Sequence, residues 1–112
     1  MSPNEYQAAA MRTINPELSY RDQLLNGVMG LCGEAGECID LVKKYLFQGH
    51  SELDVAHLAK ELGDVSWYLA VSAELIGYTL EEIFEMNIEK LKARYPDGFD
   101  AGKSSHRAEG DI

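Results

Sequence analysis

Apolar residues in the middle of this chain recur at the spacing of an α-helix and never at that of a strand. Leu58, Leu62, Val65 and Leu69 form an i, i+4, i+7 stripe, and Leu24, Val28, Leu31, Cys38 and Val42 form another. No stretch shows convincing period-2 alternation, so no sheet is expected. Capping signals divide the chain. Ser2 with Glu5, and Pro3 at the first helical position, open a helix running through Tyr6, Ala9, Ala10 and Thr13, which Asn15-Pro16 ends. Ser19 with Asp22 opens a long helix reaching about Phe47, before Gln48-Gly49. Ser51 with Asp54 opens a third, which stops near Gly77, and Thr79 with Glu82 opens a fourth, closed by Pro96. Short connections favour antiparallel neighbours, so the expected fold is all-α: an antiparallel four-helix bundle over residues 1–96. Residues 97–112 are polar and contain glycine, and are expected to form a short extended tail, mobile or ordered against a partner subunit.

Composition narrows the function. With 112 residues there is room for one domain. A chain this short buries a modest share of its surface, so self-association would help it. The formal net charge of -9 repels a phosphate backbone and argues against nucleic-acid binding. A nucleotide carried in by a divalent cation is not excluded. Cys32 and Cys38 lack CxxC spacing and are read as reduced core residues of a cytoplasmic protein. The start, Met1-Ser2-Pro3-Asn4-Glu5, lacks an apolar leader region, and no apolar run nears the roughly 18 residues of a membrane span.

Two segments align residue for residue. Leu31-Cys32-Gly33-Glu34-Ala35-Gly36-Glu37 and Leu58-Ala59-Lys60-Glu61-Leu62-Gly63-Asp64 both read Leu-x-x-Glu-x-Gly-acid. At about 100° per residue, the first acid lies about 60° from its leucine and the second about 120° on the same side. Each helix therefore carries an acid pair on the flank of its apolar stripe. If the two stripes pack antiparallel, the pairs face each other. Four converging carboxylates repel and resist desolvation, and a divalent cation resolves the conflict. An all-oxygen site suits Mg²⁺ or Mn²⁺. The competing reading is a solvated acidic face. The glycines weigh against it, since Gly30, Gly33, Gly36 and Gly63 each cost a helix about 1 kcal/mol and call for close packing or ligand access.

The run Gly30-Leu31-Cys32-Gly33-Glu34-Ala35-Gly36-Glu37, then Lys43-Lys44, then Glu61-Leu62-Gly63-Asp64-Val65-Ser66-Trp67-Tyr68-Leu69, resembles the MazG-like nucleotide pyrophosphohydrolases of the all-α NTP pyrophosphatase superfamily. Asn87-Ile88-Glu89-Lys90-Leu91-Lys92-Ala93-Arg94-Tyr95-Pro96 resembles that family's third block, and the likeness covers about residues 5–100. The resemblance implies Mg²⁺-dependent cleavage of a nucleoside triphosphate between its α- and β-phosphates, releasing a monophosphate and pyrophosphate. It implies a homodimer or a tetramer of dimers. It makes Glu34, Glu37, Glu61 and Asp64 the metal ligands. One of them is free to act as general base, and Glu34 is preferred as nearest the helix seam.

Asn87, Lys90 and Arg94 share one face of the last helix. By spacing alone they read as a salt-bridged stripe with Glu85 or Glu89. The resemblance turns Asn87 and Lys90 toward sugar and phosphate. Lys44 and Lys43 either reach phosphate or complement the helix dipole. Trp67 points away from the Leu58 stripe, toward a subunit interface or a base, and Tyr68 is a nucleobase or ribose candidate. Gln7, Arg12 and Thr13 resemble an N-terminal pattern of relatives, and Lys103, Ser104 and Arg107 are candidates to cover a neighbouring site. Asp54-x-x-His57 is the one acid-x-x-His pair, too few for a di-iron bundle. No Walker A loop, dinucleotide fingerprint or GxSxG is present. Two other readings remain: a dUTP- or dCTP-hydrolysing branch of the superfamily, and an acidic helical interaction module without chemistry.

Overall fold

The computed structural model describes residues 1–112. Five helices and no strand follow one another: α1 (Pro3–Met11), α2 (Tyr20–Phe47), α3 (Val55–Leu75), α4 (Leu80–Arg94) and α5 (Ala101–Ser105). Their starts follow local hydrogen bonding. Ser2 Oγ accepts the Glu5 N–H, and Ser19 Oγ accepts the Asp22 N–H, each at 3.1 Å. Thr79 and Glu82 form a reciprocal capping box. The cap of α3 is Asp54, not Ser51: Asp54 Oδ1 accepts the His57 N–H at 3.0 Å, so the helix begins at Val55. Gly77, at φ +87°, turns the chain from α3 toward α4.

The dominant contact is between α2 and α3. Gly27 meets Ser72, Gly30 meets Tyr68, and Glu34 meets Glu61 and Asp64, so α3 runs back along α2. A β-carbon on Gly30 would overlap the Tyr68 ring, and one on Gly27 would come within 2.7 Å of Ser72 Oγ. These two glycines let the helix axes approach. Gly33, Gly36 and Gly63 face open space, so packing does not explain them.

The core lies where α1, α3 and α4 meet. Ala10, Ala70, Val71, Ala73 and Leu80 are buried, with Tyr6, Met11, Ile14, Trp67, Leu69, Leu75 and Ile83 packed around them. Buried Gln7 ties the junction. Its Oε1 accepts the Leu80 N–H at 2.9 Å, and its Nε2 donates to Tyr78 O at 3.0 Å and Ala70 O at 3.3 Å. Beyond this junction the molecule is open. Seven of 112 residues are buried, while Phe47, Met29 and Ile39 are 80%, 68% and 63% exposed. The radius of gyration is 17.2 Å, against about 13 Å for a packed chain of about 100 residues. No helix is long and apolar enough to cross a membrane.

Two expectations change here. Residues 97–112 are not simply extended. Asp100 caps α5 by accepting the Lys103 N–H at 2.9 Å, and the chain then returns to α4. There Asp111 receives Arg94 Nε and Nη2, both at 2.8 Å. Nor do the cysteines belong to the core: Cys32, off the apolar stripe, is exposed, and Cys38, on it, is half-buried.

Candidate functional site

Three of the four predicted carboxylates converge. Glu34 of α2 and Glu61 and Asp64 of α3 bring one oxygen each within 4.8 Å of the others. Antiparallel packing produces this, because the matched segments then lie side by side. The crowding has an electrostatic cost. Glu34 holds its proton above the usual carboxylate range. Partial desolvation is the largest cause, followed by its hydrogen bond to Glu61 and repulsion from Asp64, Glu61 and Glu37. Glu37 stands apart from the trio and is exposed, yet its charge reaches both Glu34 and Lys44. An oxygen-only donor set with excess negative charge fits a hard divalent cation and poorly fits a thiophilic metal.

A cavity of about 400 Å³ opens on Glu34 and Asp64 of the trio, lined with them by Thr13, Trp67 and Tyr68. Trp67 is not free on an outer face, as its position relative to the Leu58 stripe suggested. Its indole Nε1 donates to Thr13 Oγ1 at 2.7 Å, and its ring meets Tyr68 edge-to-face at 4.9 Å. The cause is α1, which covers that side of α3. Thr13 in turn donates to Ala10 O at 2.7 Å. Tyr68 lies beside the carboxylates, as expected, with its ring on the Gly30 backbone. The cavity thus has an acidic floor and an aromatic wall, a pairing suited to a metal-bound phosphate attached to a planar base.

Two neighbours of the site were not foreseen. His57 Nε2 lies 2.8 Å from Glu61 Oε1. The signal in the sequence is the i, i+4 spacing of His57 and Glu61, which puts both on one face of α3. Tyr6 donates to Gly63 O at 3.5 Å, and burial followed by the charge on Asp64 raises its phenol pKa. No sequence spacing links α1 to α3 in this way.

The cationic candidates lie elsewhere. Lys44 bonds Asp40 at 2.9 Å and Lys43 reaches the same carboxylate at 3.5 Å. Asn87 and Lys90 are exposed, in a stretch of α4 open from Phe84 to Lys90, and neither lines the carboxylate cavity. Arg94 is held by Asp111, with side-chain exposures of 9% and 14%. Lys90 and Arg94 instead line a cavity of about 570 Å³ with Lys103 and His106.

A family profile, the MazG nucleotide pyrophosphohydrolase domain, matches residues 24–99. This chain belongs to the MazG family. The matched span begins inside α2, contains all four predicted acids and ends just past α4. The chain is also 37% identical over 82 residues to the Gene 37 protein of Mycobacterium phage L5, covering 70% of this chain and 72% of that protein. No solved structure matches. MazG membership and the helical architecture agree with the sequence resemblance, and the acidic trio falls within the MazG segment. The family supports a hydrolase of the nucleotide pyrophosphohydrolase type.

Proposed function

We propose that this protein is a magnesium-dependent nucleoside triphosphate pyrophosphohydrolase. It adds water across the α–β phosphoanhydride of a (d)NTP, giving (d)NMP and pyrophosphate, in removal of unwanted nucleotides or control of their pool. The observation that carries this reading is the convergence of Glu34, Glu61 and Asp64 beside a cavity that Glu34 and Asp64 line together with Trp67 and Tyr68. Membership of the MazG family supports the same chemistry.

In this reading Glu34, Glu37, Glu61 and Asp64 would hold Mg²⁺, or Mn²⁺ in its place, with one of the four left outside the inner shell as the base. The bound ion supplies Lewis acidity toward phosphate oxygens and lowers the pKa of water. Glu34 takes the water's proton. Its raised proton affinity, caused first by partial desolvation and then by its carboxylate neighbours, suits a base better than an ordinary glutamate would. Tyr68 and the edge of Trp67 set the position of the nucleoside.

Asn87, Lys90, Arg94 and Lys44 would complete the phosphate site, and that requires a second copy of the chain. The exposed apolar faces of α2 and α4, and the distance of Asn87 and Lys90 from the carboxylate cavity, support a homodimer or a dimer of dimers. Packing of two copies closes the four longer helices into an antiparallel bundle. A cytoplasmic, reducing setting belongs to the same reading, consistent with two unpaired cysteines.

The test is a panel of ribo- and deoxyribonucleoside triphosphates assayed with and without Mg²⁺, separating products by chromatography. Monophosphate and pyrophosphate in equal amounts, lost on chelation, are expected. Release of orthophosphate with a diphosphate would contradict α–β cleavage. No turnover on any nucleotide would leave an interaction module. Light scattering should give at least twice the 12.5 kDa chain mass.

A further inference from the structure

We propose that His57 is a positioning residue for the carboxylate centre: it fixes the orientation of Glu61 and thereby sets the site's affinity for its cation. The proposal rests on the metal-dependent reading given above. His57 lies in the first turn of α3, where its own backbone N–H is held by Asp54 Oδ1 at 3.0 Å. The cap locates that turn, and the imidazole stands one turn before Glu61. Its Nε2 lies 2.8 Å from Glu61 Oε1. Glu61 also faces Glu34 and Asp64, one oxygen of each lying within 4.8 Å of the others. The Glu61 carboxylate is therefore held from its own helix's start by an imidazole while it faces the acid of α2.

A glutamate carboxylate rotates freely about its last torsion, which is broad and roughly two-fold. A donor on one oxygen removes that freedom and leaves the remaining lone pairs oriented. Ligating carboxylates are commonly held in this way by neighbours that never touch the metal, and loss of such a neighbour typically weakens metal binding about 10–100-fold. Exposure fits the assignment: the Glu61 side chain is 15% exposed and His57 is 50% exposed. Solvent therefore reaches the imidazole freely while the carboxylate it holds faces inward. An ordinary surface pair would leave the cation affinity unchanged, and this difference is measurable.

The experiment titrates Mn²⁺ into the full chain at one fixed pH, followed by electron paramagnetic resonance, for the wild type, His57→Ala and His57→Gln. Glutamine places an amide N–H at a reach similar to that of Nε2. Expected are Mn²⁺ binding weakened about 10–100-fold by His57→Ala, recovery of most of that loss in His57→Gln, and helical circular dichroism unchanged in all three. Turnover of His57→Ala should recover as Mg²⁺ is raised. Equal Mn²⁺ affinity in wild type and His57→Ala would overturn the proposal, as would His57→Gln behaving like His57→Ala. A wild type that binds no Mn²⁺ would instead overturn the metal-dependent reading beneath it.

Discussion

The ring of Tyr68 occupies the space that a β-carbon on residue 30 would fill, so α3 lies against bare backbone of α2 at Gly30. This contact sits one turn from Glu34 and sets the separation of the two helices at the carboxylates. Alanine at 30 would gain about 1 kcal/mol of helix propensity and lose about 1–3 kcal/mol to overpacking. Gly30→Ala is therefore expected to destabilise the fold by about 1 kcal/mol. It should also lower nucleotide turnover, since Tyr68 must move away from the acids. Urea denaturation beside a steady-state assay checks both; a more stable, fully active variant would contradict the packing account.

Gln7 is a single buried carboxamide serving three backbone groups of α3, the turn after it and α4. Gln7→Leu keeps the bulk and strands the Leu80 N–H with two carbonyls. A loss of about 3 kcal/mol is expected, since each orphaned buried group costs about 1–3 kcal/mol. Chemical denaturation measures it. Gln7 resembled part of an N-terminal pattern in the sequence, and its position makes it a structural tie.

Glu34 gives the metal-free protein a definite pH response. Its folded pKa is raised above the ordinary 4.5, so between the two values the folded state binds more protons than the unfolded. Stability from this group is present at acid pH and is lost as pH rises through the raised value. Melting temperatures in chelator should therefore fall over that window in the wild type. Glu34→Gln should flatten the slope and melt higher at neutral pH. An identical slope in both would show that Glu34 is not the crowded group.

Each acid should be separable from the fold. Glu61→Gln and Asp64→Asn are expected to cut turnover at least about 100-fold, as loss of charge stabilisation at a reacting centre typically does, while circular dichroism stays helical. Glu37→Gln carries more information, because Glu37 stands outside the converged trio. A large loss is expected there too, and near-normal activity would remove Glu37 from the ligand set.

Segment 97–112 is fastened by Arg94 and Asp111. Asp111 is held below its ordinary value by Arg94, so its contribution is present above that range and lost as pH falls through the lowered value. Asp111→Asn should increase protease cleavage and amide exchange between Asp97 and Ile112 while sparing α2 and α3. Unchanged protection of that segment would mean that other contacts hold it.

Much of the fold was written locally. Ser2, Ser19 and the Thr79–Glu82 box mark their helix starts because capping needs only residues three apart. Ser51 with Asp54 has the same spacing but misplaces the start of α3, since Asp54 itself supplies the cap. The acidic trio was legible because one repeated frame on two helices dictates what an antiparallel pair brings together. Trp67 was not, since its surroundings depend on α1 crossing α3, a contact more than 50 residues apart in sequence and encoded by no periodicity. The partner of Arg94 was hidden for the same reason: Asp111 lies in a segment whose composition suggests no structure.

The raised proton affinity of Glu34 gives the site the character of a cation exchanger. A divalent ion entering it competes with the proton that Glu34 binds, so uptake of metal acidifies the solution and apparent affinity strengthens as pH rises through the Glu34 titration. Calorimetric titration with Mg²⁺ in two buffers of different ionisation enthalpy would count the protons released. Local magnesium and local acidity would then act on this protein as a single variable.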